Sequence, residues 1–195
     1  MNWKIRQFEA QDQVGLDGCD FTFTTQKVLS LFKSTRGLHT QWALTERELE
    51  GQYTGNYGLN AEEWAVVRVR GEGQPALLLV AENADVAGAP IALLDAGFDD
   101  WNETARIWNL YIDAKHRQHG LGRALMARAE VWAGEAAHKA RAIVAETQTT
   151  NFPACQFYLA CGFELSGIDD HFYSNADREA KMGIGEVALF WYKAL

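Results

Sequence analysis

The segment Ile112-Asp-Ala-Lys-His-Arg-Gln-His-Gly-Leu-Gly-Arg-Ala-Leu125 constrains this chain more than any other stretch. Residues 105–113 read as a strand, a turn with Arg117, Gly120 and Gly122 follows, and a helical pattern begins at once. Helix N-termini present unpaired amides and partial positive charge, so they attract phosphate. Glycine at 120 and 122 lets the main chain approach an anion closely, and Arg117 and Arg123 add charge. The turn is shorter than a Walker loop and lacks its Lys-Ser/Thr ending. It also lacks the third glycine of a dinucleotide fingerprint, so both of those readings fail. On these residues alone, an ordinary strand-to-helix turn with solvated arginines stays open beside an anion site.

The surrounding pattern alternates strands and helices. Residues 3–8 alternate apolar and charged, as a half-buried strand does. Residues 21–25 and 38–44 read as short strands, Thr45 as the cap of a helix start, and residues 51–58 as a loop. Residues 64–69 and 76–82 read as strands. Asn83-Ala-Asp85 with Gly88 reads as the turn of a hairpin returning through 89–98, and 99–102 as a further turn. Alternation along 105–113 puts Ile107, Asn109 and Tyr111 on one face and Trp108, Leu110 and Ile112 on the other. Leu121, Leu125, Ala129, Trp132 and Ala136 recur at helical spacing. Residues 141–147 read as a buried strand. Asn151 and Pro153 then open a helix that Gly162 ends. Residues 163–167 and 186–192 are the last strands. The strand–helix–strand unit implies a parallel pair with a right-handed crossover, and the hairpins imply antiparallel partners. The expectation is a mixed α/β sheet in a single domain over 1–195, with 64–195 as its core and 1–63 as its least patterned part.

Composition narrows the function. The chain has 195 residues, 48% hydrophobic, with 7 Trp, 6 Tyr and 10 Phe. That supplies a core without staples and excludes disorder over most of the length. No apolar run approaches the ~20 residues of a membrane helix. The net charge of −8 argues against nucleic acid and for a cationic small molecule. The one tight basic cluster, Lys115, His116, Arg117, His119 and Arg123, reads as a local anion site. Cys19, Cys155 and Cys161 are too scattered for a disulfide framework, and His116 and His119 lack further metal ligands nearby. Free thiols and an N-terminus without an apolar signal core suggest a cytoplasmic protein.

A second signature lies downstream: Asn151, Ala154, Phe157-Tyr158 and Gly162-Phe163, in the pattern Asn-x-x-Ala-x-x-Phe-Tyr-x-x-x-Gly-Phe. Together with Arg117-Gln-His-Gly120-Leu-Gly122, in this order and on these elements, it resembles the GCN5-related N-acetyltransferase (GNAT) superfamily. A narrower resemblance, over roughly residues 76–195, is to streptothricin acetyltransferases. It rests on Glu146-Thr-Gln, Pro153-Ala-Cys-Gln-Phe-Tyr, Cys161-Gly-Phe-Glu-Leu-x-Gly, Asp169 or Asp170 with Tyr173, and Glu186-Val-Ala-Leu-Phe-Trp-Tyr.

The resemblance implies transfer of acetyl from acetyl-coenzyme A to a primary amine by direct attack. The strand at 105–113 would splay from its parallel neighbour and free the main chain of Leu110, Tyr111 and Ile112 for the pantetheine arm. The diphosphate would sit on the amides of Gln118, His119, Gly120, Leu121, Gly122 and Arg123, beside Arg117. Asn151 would hold the pantetheine or the ribose side, and Tyr158 would protonate the thiolate. Relatives often carry a carboxylate in the middle of the strand before the pyrophosphate turn. Trp108 and Asn109 stand there in this chain, so the general base is Glu146, Asp95, or water ending on either. The implied acceptor is streptothricin. Another small amine, a peptide or protein N-terminal amine, and a coenzyme A-binding module without turnover are the alternatives. On the acceptor side the expectation is Trp101, Asn109, Asp169 and Asp170. Trp42, Tyr53 and Tyr57 are expected in loops where aromatic faces cage a cation. Trp3, Trp64, Trp132 and Trp191 are expected in the core, with Cys155 and Cys161 as small core residues. In some relatives the strand matching 186–192 pairs or swaps across a homodimer, and the oligomeric state stays open.

Overall fold

Residues 90–97, Pro-Ile-Ala-Leu-Leu-Asp-Ala-Gly, are apolar without alternation apart from one aspartate. That pattern suits a strand covered on both faces, and in the computed structural model all eight are buried. The structure describes every residue except 1, 74, 85, 87, 136–138 and 177–182, and describes 71–73 by backbone alone. Asp85 of the expected turn and Ala136 of the expected helix stripe therefore lie outside the described residues. The elements in chain order are β1 (Trp3–Gln7), α1 (Asp12–Leu16), β2 (Thr22–Arg36), β3 (His39–Asn56), α2 (Ala61–Gly73), β4 (Ala76–Asn83), β5 (Pro90–Asp99), β6 (Thr104–Ile112), α3 (Leu121–Gly134), β7 (Ala142–Gln148), α4 (Phe152–Ala160), β8 (Glu164–Asp169) and β9 (Ala188–Ala194). A short 3-10 turn covers Ala114–His116. Contacts gather the chain into two compact units, one of residues 1–22, 56–145 and 192–195, the other of 23–55 and 146–191. Among the described residues no helix is long and apolar enough to cross a membrane.

In the first unit the strand order is β1-β4-β5-β6, all antiparallel, and the start of β7 pairs parallel with β6. This is the expected mixed α/β arrangement. Leu16, Phe21, Trp64, Val67, Val80 and Leu93 form a buried cluster, with Phe8, Cys19, Leu59, Leu78 and Tyr111 packed against it. Residues 64–69 are not the strand their Val content suggests but lie within α2. The Asn60 side chain accepts from the Glu62 and Glu63 amides at 2.9 and 3.0 Å, and Glu63 accepts from the Asn60 amide at 2.7 Å. This reciprocal capping box starts the helix, and Trp64 and Val67, three apart, bury its inner face.

In the second unit β2 and β3 pair as a long two-stranded ribbon. Two expectations fail here. Thr45 opens no helix, and most of 51–58 is strand, because cross-strand pairing outweighs local helix signals. Lys27 reaches Glu46 at 3.2 Å and Arg47 donates to Ser30 at 3.1 Å across the ribbon. β7, β9 and β8 are neighbours in that order. β9 begins at Ala188, two residues later than expected. Trp191 is buried and donates to Thr147 Oγ1 at 2.9 Å. Trp64 and Trp132 are buried too, whereas Trp3 is half-buried.

The Arg6–Asp12 pair ties α1 to β1. The guanidinium donates twice to the buried carboxylate, at 2.7 Å each, and the Glu9 amide donates at 2.8 Å. Burial alone would raise the Asp12 pKa, but the Arg6 and Glu9 hydrogen bonds outweigh it and hold it below the usual range. The stabilisation is thus present above the unfolded-state pKa and lost as pH falls through the lower folded value. Replacing Asp12 by Asn should cost about 2 kcal/mol at pH 7. In urea unfolding, the variant and the wild type should begin to converge in stability below pH ~4 and meet only under the lower folded value.

Candidate active site

In the first unit β6 pairs with a neighbour on each edge. Within this unit its parallel register with β7 runs Thr104↔Ala142, Ala105↔Ile143, Arg106↔Val144 and Ile107↔Ala145. On its other edge β6 stays paired with β5 up to Ala92↔Ile112. Antiparallel pairs alternate between hydrogen-bonded and non-hydrogen-bonded. The Asp113 amide donates to the Ile91 carbonyl at 2.8 Å, so Tyr111, opposite Leu93, also turns its main chain toward β5. Leu110 and Ile112 turn theirs away from β5. Tyr111 is therefore corrected: its main chain is taken by Leu93, and its ring packs on Phe21 and Tyr57 at 5.3 and 6.1 Å.

The turn after β6 leaves main-chain amides at the start of α3 without acceptors in the helix. Gly120 is left-handed, with φ 83°, and nothing lies within 4 Å of where a Cβ would stand. The first intrahelical bond of α3 runs from the Ala124 amide to the Gly120 carbonyl at 3.0 Å. The amides of Leu121 and Gly122 precede it and have no acceptor within the helix. Gln118 is left-handed as well, at φ 63°, and with His119 and Arg123 it is exposed. Arg117 departs from expectation. Its guanidinium donates to the carbonyls of Ile112 at 2.9 Å, Thr22 at 2.5 Å and Asp20 at 3.5 Å. It staples main chain behind the turn instead of facing an anion. Burial lowers its pKa, opposed by Asp20 and Asp113.

Asp95 and Asn109 are brought together, facing each other across β5 and β6. Asp95 is 1% exposed; it is ion-paired with Arg70 of α2 and accepts from Asn109 Nδ2 at 2.9 Å. Both groups are thus committed to each other: Asp95 is not placed to take a substrate proton, nor Asn109 Nδ2 to hold an acceptor. Trp101 sits in the turn after β5, 85% exposed.

In the second unit the Asn151 to Phe163 motif is a helix with both ends specified. Asn151 Oδ1 accepts from the Ala154 amide at 3.1 Å, and Pro153 lies in the first turn. At the other end Gly162, at φ 83°, lets the Phe163 amide reach the Tyr158 carbonyl while its own amide reaches the Leu159 carbonyl, both at 3.0 Å. This is a Schellman end. It folds Phe163 back onto the buried Tyr158 ring, 5.2 Å between centroids, with Phe157 at 5.3 Å on the same ring. Cys155 is 2% exposed and burial pushes its thiol up to about 11, unlike a nucleophilic cysteine. Cys161 is only half-buried, at the helix end.

Glu146 and Gln148 lie on one face of β7 and share one phenol. Tyr173 Oη donates to Glu146 Oε1 at 2.6 Å and accepts from Gln148 Nε2 at 2.9 Å. Asp169 accepts from the His171 amide at 2.9 Å. Asp170 pairs with Lys33 at 2.6 Å, and that ammonium keeps its carboxyl below the usual range. Trp42 and Tyr53 are corrected: both lie on β3 and not in loops, Trp42 exposed beside Lys33 and Tyr53 buried. Arg70 had no signal that pointed to it, because its segment read as strand.

The acetyltransferase (GNAT) family model matches residues 39–163. Streptothricin acetyltransferase A of Bacillus subtilis (strain 168) is 30% identical over 151 residues, 77% of this chain and 79% of that one. The crystal structure of a nourseothricin acetyltransferase superposes with a TM-score of 0.80 at 23% identity, covering 100% of this chain and 99% of that one. A Bacillus anthracis str. Ames structure assigned to the streptothricin acetyltransferases, in complex with acetyl coenzyme A, gives 0.72 at 26% identity, covering 100% and 98%. Leu110 and Ile112 turn their main chain away from β5, and the glycine turn before α3 is open. This chain belongs to the acetyltransferase (GNAT) family, an N-acetyltransferase whose co-substrate is acetyl-coenzyme A.

Proposed function

We propose that the chain acetylates a primary amine of a small polycationic acceptor of the streptothricin kind. The supporting observation is the Glu146–Tyr173 pair on residues of the streptothricin acetyltransferase motif. The similarity to the Bacillus subtilis enzyme over 77% of the chain supports the same acceptor. The acidic balance of the chain, net −8, favours a cation by steering.

In this reading the main-chain groups of Leu110 and Ile112 hold the pantetheine arm. The amides from Gln118 to Arg123 hold the diphosphate, and Asn151 orients the pantetheine or ribose side. Acetyl-coenzyme A supplies a thioester carbonyl for attack. Glu146 takes a proton from the acceptor ammonium, directly or through one water, so that the nitrogen lone pair is free. As the new C–N bond forms and the C–S bond breaks, Tyr158 Oη gives its proton to the leaving sulfur, and the second proton shed by the nitrogen returns to the Tyr158 phenolate through water. Tyr173 fixes the rotamer of Glu146 by its hydrogen bond. Asp169 and Asp170 offer acceptor contacts, and Trp101 an exposed aromatic face for a cation. Asp95, buried and committed to Arg70, drops out as the base.

The direct test is thiol release from acetyl-coenzyme A with a panel of amines. Streptothricin should support rapid release and neutral amides none, with rates falling as salt rises. Release with a peptide N-terminus but not with streptothricin would overturn the acceptor. Tyr158→Phe keeps the ring packing and deletes the proton donor, so kcat should fall by ~10²–10⁴ with acetyl-coenzyme A affinity unchanged. A kcat within about twofold of wild type would assign Tyr158 to packing alone. Glu146→Gln keeps the shape and removes the base. It should lower kcat and flatten the acidic limb of the pH–rate profile, whereas a profile that overlays the wild type would exclude Glu146.

A further inference from the structure

The β5–β6 ladder contains one irregularity. Asp95 faces Asn109 and Ala96 faces Ile107, which leaves Trp108 as an extra residue on β6. Side-chain and main-chain directions alternate along a strand, so a one-residue slip reverses both from that point on. Without the bulge, the register of Ala96↔Ile107 would continue to bring Leu110 opposite Leu93 and Ile112 opposite Ile91. Their main-chain groups would then face β5, and Tyr111 would turn its own away. The bulge therefore decides which main-chain groups β6 turns away from β5.

Side chains lock it in place. Asp95 is the charged residue in the buried stretch of β5, and a carboxylate there is tolerable only when paired. Arg70 supplies the charge from α2 and Asn109 donates at 2.9 Å from the strand position directly opposite. Arg70 and Arg106 also stack near the Trp108 ring, 4.9 and 5.0 Å from its centre, and Arg106 reaches Asp99 at 3.1 Å. A register in which Asn109 moved one place along would leave Asp95 short of a donor.

We propose that Arg70, Asp95 and Asn109 are positioning residues for acetyl-coenzyme A: they hold the Trp108 bulge and so keep the main chain of Leu110 and Ile112 turned to the pantetheine arm. The proposal rests on the reading of the β6 edge as the pantetheine site. It gives Asn109 a place in cofactor binding in place of the acceptor contact its sequence position suggested.

The test is Asn109→Leu, near in size but without a donor, and Asn109→Thr, which returns one. Coenzyme A affinity by calorimetry, KM for acetyl-coenzyme A, KM for the acceptor and Tm are measured on each. Asn109→Leu should weaken coenzyme A binding and raise the acetyl-coenzyme A KM about tenfold or more, leave the acceptor KM within twofold, and be partly rescued by Asn109→Thr. Should Asn109→Leu not fold, Asn109→Ala is read the same way. A folded variant with lower Tm but coenzyme A affinity within twofold of wild type would overturn the proposal, since stability alone would then be at stake. A wild-type protein that fails to bind coenzyme A would instead defeat the reading of the edge itself.

Discussion

One extra residue in β6 governs which main-chain groups that strand turns away from β5. A strand in an antiparallel ladder spends every second pair of main-chain groups on its neighbour. Trp108 shifts that count by one between Asp95↔Asn109 and Ala96↔Ile107. Beyond it, Leu110 and Ile112 turn their main chain away from β5. The arrangement depends on a buried carboxylate, Asp95, that finds its cation on α2 and its second donor on β6. A strand covered on both faces normally excludes charge, so this one charge acts as a register mark.

The turn before α3 shows a division of labour that residue types alone conceal. Arg117 stands in the signature where a phosphate contact is expected, yet its guanidinium is spread over three carbonyls. The charge fixes the geometry of the turn, and in the proposed reading the amides of Leu121 and Gly122 take the diphosphate. The second signature works similarly. Gly162 is needed because only a left-handed residue brings Phe163 back over Tyr158. The Phe-Tyr and Gly-Phe pairs of the motif are thus two halves of one packing contact around the proposed proton donor.

Much of this was legible in the sequence, for stated reasons. The glycine turn, the Asn151 cap and the Gly162 end are local signals that depend on backbone chemistry within a few residues, and all three stand where they were read. The long apolar runs of β4, β5 and β7 declared themselves by composition. The failures came where tertiary pairing outweighs local preference. Val66, Val67 and Val69 argued for a strand, although Asn60 and Glu63 carried a capping box that starts a helix. Thr45 looked like a cap but faces a cross-strand partner ribbon. The bulge is invisible to a reading of strict alternation through 105–113, and the resemblance assigns the main chain of Leu110, Tyr111 and Ile112 to the pantetheine arm alike, although neighbouring residues of a strand turn to opposite edges. Arg70 could not be paired with Asp95 while its helix was read as a strand.

The central claim is that Leu110 and Ile112, and not Tyr111, offer their main chain to acetyl-coenzyme A. Amide-resolved hydrogen exchange with and without coenzyme A tests it directly. The Tyr111 amide, paired to Leu93 across β5 and β6, should be protected in the free protein and change little. The Leu110 and Ile112 amides should exchange faster in the free protein and gain protection on binding. Protection gained at Tyr111 instead, or Leu110 and Ile112 amides indifferent to saturating coenzyme A, would contradict the account.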